Sequence, residues 1–317
     1  MPDVITIDGQ YVARGEQKEI ILNIARLPTH TMIDLPIYVY AAEKNGATLL
    51  VSAGLHGDEI NGIEVIRRMI QDKTIIPTAG TVIAIPIVNI YAFIYNSRNF
   101  PDHKDMNRSF PGSDKGSLAK YLALLLETEI LPHIDCGVDF HTGGASKMNY
   151  PHIRCEVGVH QNLEFAQAFS PPFIVTSKPP DHSFRKSATL RGKSLLTFEG
   201  GESLRLDEFS IQEGIRGILR LMKHLGMKSS GPHSNNTILL KNSWWNRAKY
   251  SGLFRVQVEP GQAIRKNQTL GFITDPFGDV EYKIKAGTSG HVIGINNMCV
   301  VNKGEALIHI GSNISSR

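Results

Sequence analysis

The stretch ATLLVSAGLHGDEINGIEVIRRMIQ, Ala47–Gln71, changes its pattern midway, and that change decides the fold. Its first eight residues form an almost continuous apolar run, the mark of a strand buried on both faces. From Glu59 onward, Ile60, Ile63, Ile66 and Ile70, with Arg67 among them, recur at helical spacing. A buried strand that turns sharply into an amphipathic helix is the building unit of an α/β sheet. The turn between them carries His56 and Glu59, with Gly54 and Gly57 close by.

The alternation continues on the C-terminal side. TVIAIPIV (Thr81–Val88) reads as a strand and GSLAKYLALLLETEIL (Gly116–Leu131) as a helix. CGVDFH (Cys136–His141) is a strand and NLEFAQAF (Asn162–Phe169) a helix. FIVTS (Phe173–Ser177) and KSLLTFEGG (Lys193–Gly201) are strands, and SIQEGIRGILRLMKHLG (Ser210–Gly226) is a long helix. Residues 1–45 alternate apolar and polar positions, as in VITI and IYVYAA, and predict antiparallel strands. The expected architecture is a mixed, mostly parallel sheet flanked by helices, spanning residues 1–230. GMKSSGPHSNN (Gly226–Asn236) reads as a linker. Beyond it helical periodicity disappears, and residues 237–312 predict a small all-β domain of short strands and Gly turns. VEPGQAIRKNQTLG (Val258–Gly271) and VNKGEAL (Val301–Leu307) are similar to phrases of biotinyl/lipoyl-type barrel-sandwich domains. The Met-Lys-Met phrase of such carriers is missing, which argues against a carrier role.

Composition narrows the function classes. The 317 residues are 41% hydrophobic and 20% charged, as in an ordinary globular protein. A net charge of +4 without a basic arm argues against nucleic acid and is compatible with a small anionic substrate. Cys136, Cys155 and Cys299 are odd in number and widely spaced, which predicts reduced thiols in a cytoplasm. The first fifteen residues lack a basic-then-apolar signal pattern. TVIAIPIVNIYAFIY (Thr81–Tyr95) is too short to span a bilayer, so no membrane association is expected.

Polar residues gather where the predicted strands end, which is where α/β proteins place their sites. His56 and Glu59 follow one strand, His141 ends another, and Glu199 ends a third. By itself His-x-x-Glu is equally compatible with a carboxylate placed favourably at a helix N-terminus. Two His and a Glu are, however, the donor set of many catalytic zinc sites. Asp139 lies two residues before His141, hence on the same strand face, and could orient a ligand histidine, His56 being the favoured partner. The glycines flanking these positions would let backbone approach an ion or substrate closely. The remaining histidines, from His103, His133, His152 and His160 to His182, His224, His233, His291 and His309, read mostly as surface or turn residues, His103 being the exception nearest the site. YNSRNFPDHKDMNRSFPG (Tyr95–Gly112) is a long polar loop carrying Arg98, Asn107 and Arg108. Arginine matches a substrate carboxylate, although either Arg could instead pair with Asp102 or Asp105.

Taken in order, GLHGDE, NSR followed by DMNRSFPG, DFHTGG and FEGG resemble the motifs of the succinylglutamate desuccinylase/aspartoacylase family, relatives of the zinc carboxypeptidases. The resemblance covers roughly residues 47–225, and an all-β C-terminal domain also suits that family. It implies a zinc ion on His56, Glu59 and His141, and Glu199 as general base and acid. It implies Arg98 as the arginine that stabilises the transition state, and Asn107 with Arg108 as the pair that holds a substrate carboxylate. The implied activity is hydrolysis of the amide bond of a small N-acyl amino acid or related metabolite. A carboxypeptidase-like peptidase, or a metal-binding protein with vestigial activity, are the alternatives. Neither a phosphate loop nor a G-x-S-x-G elbow is present: LRGKSL has Ser187 where a phosphate loop needs Gly. Exposed edges of the β domain offer a route to a homo-oligomer.

Overall fold

The computed structural model describes residues 4–159 and 161–313. His160, and the first three residues of the N-terminal strand region, lie outside the described residues.

Four strands open the chain: β1 (Val4–Ile7), β2 (Gln10–Ala13), β3 (Gln17–Arg26) and β4 (Met32–Ala41). Then follow β5 (Thr48–Ala53), α1 (Asn61–Gln71), β6 (Thr81–Ile85), α2 (Ile90–Ile94), α3 (Leu118–Leu125), β7 (Cys136–Gly143) and β8 (Lys147–Cys155). The next elements are α4 (Asn162–Phe169), β9 (Phe173–Thr176), α5 (Phe184–Leu190), β10 (Ser194–Glu202) and α6 (Glu208–His224). Residues beyond the linker form β11 (Ile238–Leu240), β12 (Asn242–Arg247), β13 (Gly252–Val256), β14 (Ala263–Ile264), β15 (Thr269–Thr274) and β16 (Glu281–Lys285). The chain closes with β17 (Gly290–Asn296), β18 (Val300–Val301) and β19 (Ala306–Ser312).

One large mixed sheet runs in the order β12-β19-β17-β8-β10-β7-β5-β6-β4-β3. Its centre is parallel, through β10–β7, β7–β5 and β5–β6. Its flanks are antiparallel, from β10–β8 outward on one side and from β6–β4 outward on the other. Helices cover it, as the α/β reading requires. The strands β12, β17 and β19 from beyond the linker extend this same sheet through the β17–β8 pairing, while β13, β15, β16 and β18 form a separate four-stranded sheet. Every residue of β5 and β7 is buried, which is why their sequences read as apolar runs rather than alternations.

The opening helix begins later than its pattern suggests. α1 starts at Asn61, and its buried stripe is Gly62, Val65, Ile66 and Met69 instead of the Ile60–Ile63–Ile70 edge. The reason is contact with β7: a Cβ at position 62 would lie 2.2 Å from the Phe140 Cβ, so the helix approaches the sheet on its glycine face. Burying Val65, Ile66 and Met69 contributes about 1.5–3 kcal/mol each. The predicted helix at Gly116–Leu131 is α-helical only to Leu125 and continues as a π turn over Leu126–Ile130. Among the described residues no helix is long and apolar enough to cross a membrane. The three cysteines are free thiols; Cys136 and Cys155 are buried, and Cys299 is exposed.

Candidate active site

The parallel strands β5, β7 and β10 end at one cleft, and each delivers a side chain or a loop to it. The chain leaves β5 through Gly54, whose φ of +65° makes the first sharp bend. Gly57 then passes against α2: a Cβ there would sit 1.9 Å from the Ala92 carbonyl carbon. The glycine beside His56 therefore makes room for protein backbone, not for an ion as its sequence context suggested.

His56, Glu59 and His141 come together in the buried floor of the cleft, with one donor atom from each within 4.8 Å of the others. Both imidazoles turn Nδ1 toward the Glu59 carboxylate, at 2.8 Å in each case. The backbone N–H of Thr142 donates to Glu59 Oε2 at 3.1 Å. Glu59 precedes the first residue of α1, and its carboxylate serves the two imidazoles rather than the helix amides.

Each imidazole is fixed from behind through Nε2. Asp139 Oδ2 lies 2.8 Å from His141 Nε2 and is held in turn by the Ser52 hydroxyl, which donates to its Oδ1 at 2.8 Å. This corrects the sequence-based preference for His56 as its partner. Residues i and i+2 of one strand share a face, so Asp139 meets the histidine of its own strand. The partner of His56 is Asp105, whose Oδ1 lies 3.2 Å from Nε2. Asp105 also accepts from Arg98 Nε and Nη2 at 3.2 and 2.9 Å, and Arg98 Nη1 reaches Glu59 Oε1 at 3.1 Å. Arg98 thus does form the ion pair with Asp105 that its loop context allowed, and lies against the donor cluster while doing so.

The electrostatics follow from this crowding. Burial alone would lift the Glu59 carboxyl, but the two imidazoles outweigh it and hold the group well below the ordinary range. Burial likewise works against charge on His141, yet Asp139 and Glu59 raise its pKa well above the usual value. His56 is raised too, with burial overcome by Glu59 and Asp105. A metal on the two Nδ1 atoms would displace their protons; with both imidazoles then neutral, the carboxylates of Glu59, Asp105 and Asp139 face the single guanidinium of Arg98, and the cluster is net negative. A divalent cation would balance it. Two neutral imidazole Nδ1 atoms and a carboxylate, each anchored by a further hydrogen bond, suit a transition metal.

The cleft above this floor has a volume of about 300 Å³. Glu199, Arg98, Asn107 and Arg108 all line it, together with Asp139 and the three donors. Glu199 lies toward the C-terminal end of β10, just before its bulge and directly across from His141 in the β10–β7 register. Its Oε2 accepts from Asn149 Nδ2 at 2.9 Å and its Oε1 from Arg154 Nε at 3.1 Å. Arg108 and Asn107 stand on a short 3₁₀ turn, Met106–Arg108, that Asp105 caps by accepting the Asn107 N–H at 2.8 Å. Asn107 Oδ1 accepts the Phe184 N–H at 3.0 Å and ties the turn to α5. His103 is exposed and does not line the cleft.

Several lining residues have no counterpart in the sequence reading: Asn149 and Arg154 on β8, Lys178 and Arg185 around α5, and Trp245 on β12. Arg185 stands out. It is 8% exposed, and among the described residues its Nη1 has no hydrogen-bond partner and its Nη2 donates to the Ser177 hydroxyl and the Lys178 carbonyl, both at 3.1 Å. Burial, and then the neighbouring Arg154, push its pKa down to about 10. His152 and His309, which the sequence suggested were surface or turn residues, are buried in β8 and β19, and His309 stacks on Trp245 with ring centroids 4.8 Å apart. Their strands are interior to the sheet, so polar sequence context did not imply exposure.

An α/β sheet with a buried His–Glu–His cluster and a cation-lined cleft at the carboxyl ends of its parallel strands defines the class. The sequence model of the succinylglutamate desuccinylase/aspartoacylase catalytic domain matches residues 45–225, and the chain belongs to that family. It is 26% identical over 290 residues to N-alpha-acetyl-L-2,4-diaminobutyric acid deacetylase of Halomonas elongata, covering 86% of this chain and 84% of that protein. A succinylglutamate desuccinylase/aspartoacylase from Rhodobacter sphaeroides superposes with a TM-score of 0.82 at 26% identity, over 94% of this chain and 96% of the other. The product-bound ectoine utilization protein EutE (DoeB) from Ruegeria pomeroyi shares the fold, with a TM-score of 0.84 at 22% identity over 99% of each chain.

Proposed function

We propose that the chain hydrolyses the amide bond of a small, carboxylate-bearing N-acyl amino acid, using one zinc ion held by His56, Glu59 and His141. The observation that carries this reading is the pairing of that donor cluster with Glu199 in one cleft. Membership of a deacylase family supports it, as does the deacetylase activity named for the Halomonas elongata relative.

Zinc at this site would supply Lewis-acid chemistry, polarising a carbonyl and acidifying water. The chain's own residues do the rest. Asp105 and Asp139 keep both imidazoles turned with Nδ1 inward. Glu199 takes a proton at a carboxylate oxygen from the water that attacks the amide carbon, and returns it to the amine nitrogen as the C–N bond breaks. Arg98 faces the donor cluster, where negative charge develops on the former carbonyl oxygen; removing such a donor costs about 3–4 kcal/mol in the transition state. Arg108 and Arg185 take substrate carboxylates and thereby set the amide in place. Trp245, from beyond the linker, also lines the cleft, and a bulky indole in that wall suits a small metabolite better than a peptide chain. A cytoplasmic location agrees with the free thiols.

The test combines metal analysis with a panel of N-acetyl, N-succinyl and short peptide substrates. About one zinc per chain and turnover of N-acyl amino acids are expected. Glu199→Gln should retain the metal while losing on the order of 10²–10⁴ in rate. Full activity in the metal-free protein, or normal turnover in Glu199→Gln, would end this reading.

A further inference from the structure

The C-terminal β region reaches Glu199 through a single strand. Glu199 lies opposite His152 in the β10–β8 register, and both of its carboxylate oxygens are taken by β8 side chains, Asn149 and Arg154. The opposite edge of β8 pairs with β17, where Gly294 faces Asn149 directly. A Cβ at position 294 would lie 2.5 Å from Asn149 Oδ1 and 2.8 Å from the Met148 carbonyl oxygen. Both distances are shorter than a real Cβ tolerates, so a side chain there must displace something. The movable neighbour is the Asn149 amide. Its oxygen lies against Gly294 while its nitrogen holds Glu199, so it cannot retreat without releasing the carboxylate.

Gly294 is not in the left-handed region of backbone space. Its lack of a side chain answers a demand for room and not for conformation. Glycine inside a strand weakens it and marks a close approach. Asn149 is buried and its amide is neutral, so it sets the direction of the carboxylate without adding charge to a cleft that Arg154 already makes positive.

We propose that Asn149 is a positioning residue for Glu199, and that β17 serves the reaction by leaving, at Gly294, the space this amide occupies. The inference rests on the reading of Glu199 as the proton carrier. A misdirected carboxylate slows proton transfer but leaves substrate anchoring at Arg108 and Arg185 intact, so the effect belongs in kcat and not in KM.

The experiment uses the metal-loaded, full-length protein and the best N-acyl substrate of the panel. Asn149→Ala and Gly294→Ala should each lower kcat about 10- to 100-fold, with KM within about threefold and metal content unchanged. In the double variant the amide is gone and only the Met148 carbonyl has to yield, so its kcat should fall no more than about threefold below that of Asn149→Ala. Wild-type kcat in Asn149→Ala overturns the proposal, and so do losses that multiply in the double variant. Should Gly294→Ala not fold, because the Met148 carbonyl cannot yield, Asn149→Ala decides the proposal alone: a fall in kcat at unchanged KM supports it, and wild-type kcat overturns it. Glu199→Gln separates the two levels. If it is inactive while Asn149→Ala and Gly294→Ala are normal, only this inference fails; if it turns over normally, the proton-carrier reading fails.

Discussion

Replacing Arg185 by Met should improve stability or leave it unchanged while it damages substrate binding, and the opposing signs identify what the residue is for. The guanidinium is 8% exposed, and among the described residues no carboxylate lies at hydrogen-bond distance from it. Its pKa falls from 12.5 to about 10, chiefly through burial. That displacement corresponds to a penalty of about 3 kcal/mol on the charged form. Met removes the penalty and keeps most of the volume. It also removes the donations to Ser177 and Lys178, worth together about 1–3 kcal/mol. The ligand-free variant should therefore lie within about 0–2 kcal/mol above the parent in urea unfolding. Binding moves the other way. A charge-assisted contact to a desolvated carboxylate contributes about 2–3 kcal/mol, so KM for the carboxylate substrate should rise about 30- to 150-fold. Loss of more than about 2 kcal/mol of stability with KM unchanged would refute the argument, since it would show a structural arginine whose interactions outweigh its desolvation.

Two further expectations concern the groups behind the site. Asp105→Asn keeps the shape of the side chain but removes the charge that both His56 and Arg98 use, so zinc affinity should drop about 10- to 100-fold in competition with a chelator, and unchanged affinity would contradict the role given to Asp105. Acid should expose the buried histidines of β8 and β19. Burial, with Arg154 nearby, pushes the His309 pKa down to about 3 and that of His152 well below its usual value. Both stay neutral in the folded chain, whereas the unfolded chain binds their protons below about pH 6.5, so their stabilising contribution is complete above that pH and is lost as pH falls from about 6.5 toward 3. His309→Gln should lessen the decline of urea-unfolding stability over that window by up to about 1.4 kcal/mol per pH unit, and a decline of equal steepness would count against the assignment.

What was legible in the sequence depended on whether a residue's role was set by its own segment. The strands β5, β7 and β10 are buried throughout or nearly so, and their apolar runs announced them; the residues at their ends, His56, Glu59, His141 and Glu199, could be picked out by position alone. β8 could not. KMNYPHIRC is polar and contains Pro151, features that argue against a central strand, yet three neighbours pair with it. Asn149 and Arg154, the partners of Glu199, are hidden with it. Arg185 is hidden for another reason. Its significance is a missing partner, and an absence of that kind exists only after folding. The partner of Asp139 was misread on similar grounds. Strand periodicity places it on the face of His141, but which imidazole nitrogen needs an acceptor is settled only by the fold, and in the sequence Asp105 reads simply as a salt-bridge partner for a loop arginine.

The two anchors of the donor cluster come from different kinds of structure, and that difference has consequences. Asp139 is part of β7 and is braced by Ser52 on the adjacent β5, so His141 is fixed by the sheet itself. Asp105 belongs to the loop that carries Arg98, Asn107 and Arg108, and it binds His56, Arg98 and the Asn107 N–H at once. The carboxylate that orients the His56 imidazole therefore also sets the arginine beside the cluster and caps the turn that presents Asn107 and Arg108. A shift of this loop cannot reposition Asn107 and Arg108 without loosening His56. Side chains that must keep a precise geometry need neighbours that are themselves locked by packing and hydrogen bonds. Here a single carboxylate, Asp105, is that support for His56, for Arg98 and for the turn of Asn107 and Arg108 alike.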